Sequence, residues 1–445
     1  MALFLMAISL FISKVILGSR LAPLGVYSLL WTSIIVVYFS NIFKYPALSG
    51  SALIMIFGSY VSFIIGSVAG GVIGGNGGVI YGKRIQYKKL PVTDVISANE
   101  FSRLQIALSI FSILGLVLSI IYFIVVVSNV GVSVFFSQFF EHTVLVRKSM
   151  IDDAVNAGRT GFITMFPLIF IYGSCVLLGQ YLAFDRGAIK YLVLVLLSVL
   201  IYSTAEMSRA RILDVIALIV VSYYLFSSSY FTYAKRRGFK LTNSQKIILF
   251  SVISIIGLII IGSVQNKHDG ELELTNVPLN PVITHGLYRL SIGFAMFDNL
   301  AHIYEGTYYL GDATLNVFMR ILSAVNIINE YNRVVFYEVN PVSGWIGYNT
   351  PTYLMWIFVD FGMLGVVVFP LLFGFIFSSL YIKVRKSPNF FNIAILALLY
   401  LSIFVSFGTW RFWDTFYIGT FFLLFLIYPY LNRKRKIQDY LAVAS

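Results

Sequence analysis

Of the chain's 445 residues 59% are hydrophobic and only 11% are charged, with a mean hydropathy of +0.87; soluble domains carry about 25% charged residues, so a water-soluble fold is excluded. The formal net charge of +13 does not signal nucleic acid, because Lys and Arg fall in short clusters between apolar runs, where the basic loops of membrane proteins lie. The single cysteine, Cys175, sits within an apolar run, which excludes an intrachain disulfide and a cysteine-built metal centre and marks it as a small packing residue.

A helix needs about 20 mainly apolar residues to cross the hydrocarbon core. Such runs fall at roughly 2–18, 22–41, 50–74, 104–128, 161–184, 189–205, 212–232, 246–263, 353–382, 390–408 and 412–431. They predict an all-α polytopic integral membrane protein with about 11 transmembrane helices, because helices satisfy their own backbone in lipid. The N-terminus lacks a basic leader region and a small-residue cleavage site, so Met1 to about Gly18 reads as a first helix. The glycine-rich stretch Gly70 to Gly78 fits neither the dinucleotide-binding nor the phosphate-loop pattern and reads as a flexible turn.

With the N-terminus outside, the clusters Lys83, Arg84, Lys88 and Lys89, then Arg186 and Lys190, then Lys235 to Lys240, then Lys383 to Lys386, and Arg433 to Lys436 all fall inside. That orientation puts 21 of the 32 Lys and Arg inside and 15 of the 19 Asp and Glu outside or at outward helix ends. The chain 1–445 then reads as a single membrane-embedded domain with two large outward loops, about 129–160 and 264–352, and an inward tail 432–445. Within the second loop, Leu287 to Ile303 and Thr314 to Ile328 mix apolar and polar residues at helical spacing and are expected to lie in the membrane interface.

The outward charges carry the candidate chemistry. Eight of the eleven outward basic residues are arginine: Arg147, Arg159, Arg209, Arg211, Arg289, Arg320, Arg333 and Arg411. A guanidinium fork grips phosphate or carboxylate oxygens in pairs and keeps its charge, so the set suggests a phosphorylated or acidic ligand, although each arginine can also anchor at headgroups or pair with an acid. Arg209 and Arg211 stand in the short turn Ser208 to Arg211, flanked by Glu206 and Asp214. Two readings stay open for them. Arg211 pairs with Asp214 at i,i+3, or Glu206 with Arg209; alternatively the pair binds a lipid pyrophosphate and stabilises charge developing on it.

Acid and base candidates on the same face are Glu141, His142, Asp152, Asp153, Asp298, His302, Glu305, Asp312, Glu330, Glu338, Asp360 and Asp414. No histidine pair, D-x-D or G-x-S-x-G pattern singles one out, and no divalent-metal site is evident. Asp360 lies inside an apolar run, where an unpaired carboxylate is costly, and is expected to meet an arginine. Tyr and Trp crowd the large loop, among them Tyr308, Tyr309, Trp345 and Trp356, and suit either sugar stacking or the membrane interface.

In organisation the chain resembles the Wzy-type O-antigen and capsule repeat-unit polymerases. The resemblance rests on the Leu24 to Trp31 helix entry, the Ser208 to Arg211 turn, and Asn349-Thr350-Pro351-Thr352 followed by Asp360-Phe361-Gly362 and Gly365. An Arg-x10-Gly pattern seen in some members occurs in each outward loop, from Arg147 to Gly158 and from Arg333 to Gly344. The resemblance implies a metal-independent, cofactor-free, inverting glycosyl transfer at the periplasmic face of a bacterial inner membrane. Undecaprenyl-pyrophosphate-linked oligosaccharide would be the substrate and carrier pyrophosphate the by-product. Arg209, Arg211 and Arg289 would contact pyrophosphate; Arg147, Arg333, Gly158, Gly344 and Asp360 would hold saccharide; Glu338 or Asp312 would serve as base. Membrane lipid, a chain-length regulator and a flippase are the implied partners. An O-antigen ligase, for which His285 and Arg289 would serve, is the nearest alternative. A flippase or other transporter would instead place charges in mid-membrane cavities.

Overall fold

The computed structural model describes residues 1–40, 42–74, 98–131, 160–183, 188–206, 210–230, 281–304, 308–328 and 352–431. The helices among them are α1 (Ala2–Ile16), α2 (Pro23–Phe39), α3 (Gly50–Gly74), α4 (Ala98–Val130), α5 (Thr160–Leu182), α6 (Ile189–Glu206) and α7 (Ala210–Tyr230). They continue with α8 (Pro281–Ile303), α9 (Asn316–Ala324), α10 (Tyr353–Lys386), α11 (Phe390–Phe404), a 3-10 turn at Arg411–Trp413 and α12 (Thr415–Leu431). Six of these, α3, α4, α5, α6, α7 and α10, are long and apolar enough to cross a membrane. This is a helical membrane protein. Every predicted apolar run within the described residues falls on a helix; the run 246–263, the tail 432–445, most of the first long loop and about half of the second lie outside them.

Where the sequence reads as one domain, the structure divides into two compact units, each assembled from distant stretches of chain. The first unit comprises Met1–Ile85, Leu241–Lys383 and Leu399–Asp414. In lipid, apolar side chains gain nothing by leaving one hydrocarbon for another, so helices associate through close packing of small residues. That is how α3 meets α10. Gly66 and Gly70, one turn apart, press so closely on α10 that an added Cβ would stand 1.9 Å from the Leu371 carbonyl oxygen or 2.2 Å from that of Phe375. From the other side, a Cβ on Gly374 would stand 2.3 Å from the Phe63 carbonyl oxygen, and the Ser379 hydroxyl donates to the Gly70 carbonyl at 3.1 Å. The expectation of a flexible turn from Gly70 onward is therefore corrected: Gly70, Gly71 and Gly74 are helical.

An aromatic core fills the rest of this unit. Trp31 is fully buried, donates its indole N–H to the Ser406 hydroxyl at 2.9 Å, stacks on Tyr27 and meets Phe294 of α8. The Tyr27 and Tyr353 hydroxyls share a hydrogen bond of 3.0 Å. Through this core α8 packs on α2 and α3, with Ser291, Ile292, Phe294, Met296, Phe297 and Leu300 buried. From Ser291 to Phe297 every residue of α8 is buried, so this helix belongs to the core of the unit.

The second unit comprises Gln86–Lys240, Val384–Leu398 and Thr415–Ser445, with α5 packed against α4, α7 and α12. The Ser222 hydroxyl donates to the Val176 carbonyl at 2.5 Å, and the Gln180 amide donates to the Phe390 carbonyl at 3.0 Å.

Gly66→Ala is expected to force α3 and α10 apart and cost about 1–3 kcal/mol, the usual range for overpacking. Thermal unfolding in detergent should show a lower midpoint. Gly58→Ala, at a helical site with nothing within 4 Å, should leave it unchanged or slightly raised.

Candidate functional site

Each unit gathers charged side chains in its own cluster. In the second unit the chain leaves α6 at Glu206 and enters α7 at Ala210, which returns Arg211 beside Glu206 while helical spacing sets Arg211 and Asp214 on one face. The Arg211 Nε lies 3.4 Å from Glu206 Oε2, and its Nη1 lies 3.6 Å from Asp214 Oδ2. Its guanidinium also covers the Phe416 ring at 4.5 Å. Asp214, 3% exposed, accepts a short hydrogen bond from the Tyr172 hydroxyl as well. Of the two readings of this turn, intramolecular pairing of Arg211 with Asp214 is the geometry observed, and Glu206 meets Arg211. Arg211 thus ties the end of α6 to the first turn of α7.

In the first unit the organising feature is a break in α10. Gly362 takes φ 60 and ψ −156, which glycine alone adopts without strain, and so interrupts the helix. In an unbroken helix the Val359 carbonyl would face the Met363 amide. Here it accepts from the Tyr309 amide at 3.1 Å. Asp360, fully buried, holds the same incoming segment: Oδ1 accepts from the Ala313 amide at 3.0 Å, and Oδ2 accepts from the Thr314 amide at 2.5 Å and from the Thr314 hydroxyl. The Thr314 carbonyl in turn accepts from the Trp410 indole at 2.9 Å. The segment turns sharply at Leu310 and Gly311, both at positive φ, and the Tyr308 ring fills the space that a Cβ on Gly362 would need.

The expectation that Asp360 meets an arginine is corrected, since among the described residues its partners are two backbone amides and a hydroxyl. Charge-assisted bonds from backbone amides stabilise a buried carboxylate. Asp312, 5% exposed, lies in the turn that Asp360 secures. Two further acids in this unit are engaged: Asp414 lies 2.8 Å from Arg411 Nη1, and Asp298 accepts from the Ser49 amide at 2.9 Å beside His302 at 3.7 Å.

Of the predicted site residues, the structure describes Arg211, Arg289, Asp312 and Asp360; Arg289 lies half-buried on α8. Arg147, Gly158, Arg209, Arg333, Glu338 and Gly344 lie outside the described residues. Asp312 and Asp360 come together, whereas Arg211 belongs to the second unit. Tyr172, Phe416, Thr314 and Trp410 escaped sequence reasoning, because a tyrosine or tryptophan inside an apolar stretch carries no mark of the polar group it serves. Among the described residues no three His, Cys, Asp or Glu side chains converge into a metal-holding group. Comparison with protein-family models, with curated proteins and with solved structures gives no match.

Asp214 is the deeply buried carboxylate of this cluster and meets both Arg211 and Tyr172, whereas Glu206, at 24% exposure, is partly solvated. Asp214→Ala is therefore expected to destabilise the protein by about 3 kcal/mol and Glu206→Ala by under about 1 kcal/mol. Denaturant unfolding in detergent measures both, and equal losses would show that Asp214 does not anchor the cluster.

Proposed function

We propose that this protein polymerises lipid-linked oligosaccharide repeat units at the periplasmic face of a bacterial inner membrane, in the manner of the Wzy-type polymerases it resembles. The observation that carries this reading is the placement of buried charge. Among the described residues the charged side chains classed as buried are Asp214, Asp312, Asp360 and Arg411. All four belong to helix ends or loops that the basic-loop rule assigns outward, while Lys190, Lys383 and Lys386 at the opposite ends are exposed. Buried charge in a membrane protein is expensive and marks function. Its concentration toward one face suits an enzyme whose lipid-borne substrate keeps its polar part at one surface. A transporter needs polar groups along a path through the middle.

In the proposed reaction an acceptor sugar hydroxyl attacks the anomeric carbon of the donor chain. The bond from that carbon to the pyrophosphate oxygen breaks with inversion, the electron pair leaves on undecaprenyl pyrophosphate, and the hydroxyl proton passes to a carboxylate. Asp312 and Glu338 are the candidate bases. Arg209 is the candidate for stabilising the departing pyrophosphate, with Arg211 as its support through the carboxylate pairs. Arg147, Arg289 and Arg333 remain candidates for holding donor or acceptor. Asp360 acts through the segment it anchors, which carries Asp312.

Loss of the gene in its native host is expected to leave lipid A core bearing one repeat unit and no polymer ladder on a polysaccharide gel. Arg209→Ala should reproduce that pattern with normal protein in the membrane. Lipid-linked polymer never joined to core would instead identify a ligase, units trapped on the inner side a flippase, and an unchanged ladder would contradict the proposal.

A further inference from the structure

The short helix α9 and its two caps present an exposed apolar stripe. Leu315, Phe318, Ile321 and Val325, spaced by three or four residues, are 40%, 42%, 49% and 58% exposed, while Asn316 and Val317 on the opposite side are buried. Arg320, exposed on the side of the helix that carries Asn316 and away from Phe318 and Val325, has no partner among the described residues.

The height of α9 follows from α10. Lys383, exposed near the end of α10, belongs to a basic cluster of the kind that stands at headgroup level. The hydrocarbon core is about 30 Å thick and a helix rises about 1.5 Å per residue, so the far boundary falls about 20 residues back, beside Gly362. That is the level at which α10 breaks and at which Val359 and Asp360 grip Tyr309, Ala313 and Thr314. Two residues after Thr314 α9 begins. From this level inward α10 itself exposes Met363, Leu364, Val367 and Val368, so the bare stripe of α9 starts where a lipid-facing surface ends.

We propose that α9 is an interfacial helix, with Phe318 and Ile321 lodged among the upper acyl chains and Arg320 on lipid phosphates, held at that depth by Asp360. The occupant of the stripe is the bilayer itself. An exposed apolar stripe with a cation on the opposite side of the helix fits that boundary, where hydrocarbon and phosphate lie within one side-chain length of each other. A helix so placed gives this end of the unit a fixed contact with headgroups. The inference stands on geometry alone and does not depend on the functional proposal.

The test uses the full chain carrying Cys175→Ala, with single cysteines introduced by Phe318→Cys, Ile321→Cys, Leu364→Cys or Lys386→Cys, each labelled with an environment-sensitive fluorophore. In phospholipid nanodiscs containing shallow spin-labelled lipid, labels at 318 and 321 should be quenched by lipid as strongly as the label at 364. They should resist aqueous iodide, which quenches the label at 386. Iodide quenching at 318 and 321 without lipid quenching would overturn the proposal by placing α9 in water. Protection from both quenchers would overturn it in favour of a protein partner such as a second copy. Asp360→Asn should weaken lipid quenching at 321 while leaving it intact at 364, a control showing that α10 still folds; undiminished quenching at 321 would overturn the anchoring role of Asp360.

Discussion

A backbone group freed from a helix and buried away from water must find a partner within the protein. The rest of the first unit depends on how this is met at Gly362. Breaking α10 there frees the Val359 carbonyl, and the chain returns the Tyr309 amide to it. The returning segment brings its own unpaired amides at Ala313 and Thr314, and the Asp360 carboxylate takes both. The carbonyl of Thr314 then needs a donor, which the Trp410 indole supplies. A helix break, an acid, a threonine and a tryptophan therefore form one satisfied set, and removing any member strands the others. In a low-dielectric setting such a set is rigid, because a partly satisfied state costs more than either extreme.

The second unit meets the same constraint with ions. Arg211 is flanked by Glu206 and Asp214 and capped by the face of Phe416, while Tyr172 donates to the carboxylate that lies deepest. Neither cluster leaves a buried charge alone. For the proposed chemistry, Asp360 shapes the segment on which Asp312 stands.

Much of this architecture is legible in the sequence. Apolar runs separated by basic clusters give the positions of the described spanning helices, and the i,i+3 spacing of Arg211 and Asp214 announces their pairing. Other features are silent for physical reasons. Gly66, Gly70 and Gly74 read as a packing surface only once α10 is known to lie against them, since glycine spacing alone also suits a flexible turn. The polar residues of α8, His285, Arg289, Asp298 and His302, dilute its hydropathy although every residue from Ser291 to Phe297 is buried. Asp360 suggests an arginine because side chains are visible in a sequence and backbone amides are not.

The proposed orientation puts the charged cluster of each unit at outward helix ends. Single cysteines placed by Asn326→Cys, Lys190→Cys or Ser387→Cys in a chain carrying Cys175→Ala, treated in intact cells with a membrane-impermeant maleimide, test it directly. The account predicts labelling at 326 from outside and at 190 and 387 only after the inner membrane is opened. The reverse pattern, with 190 and 387 labelled first, would contradict it.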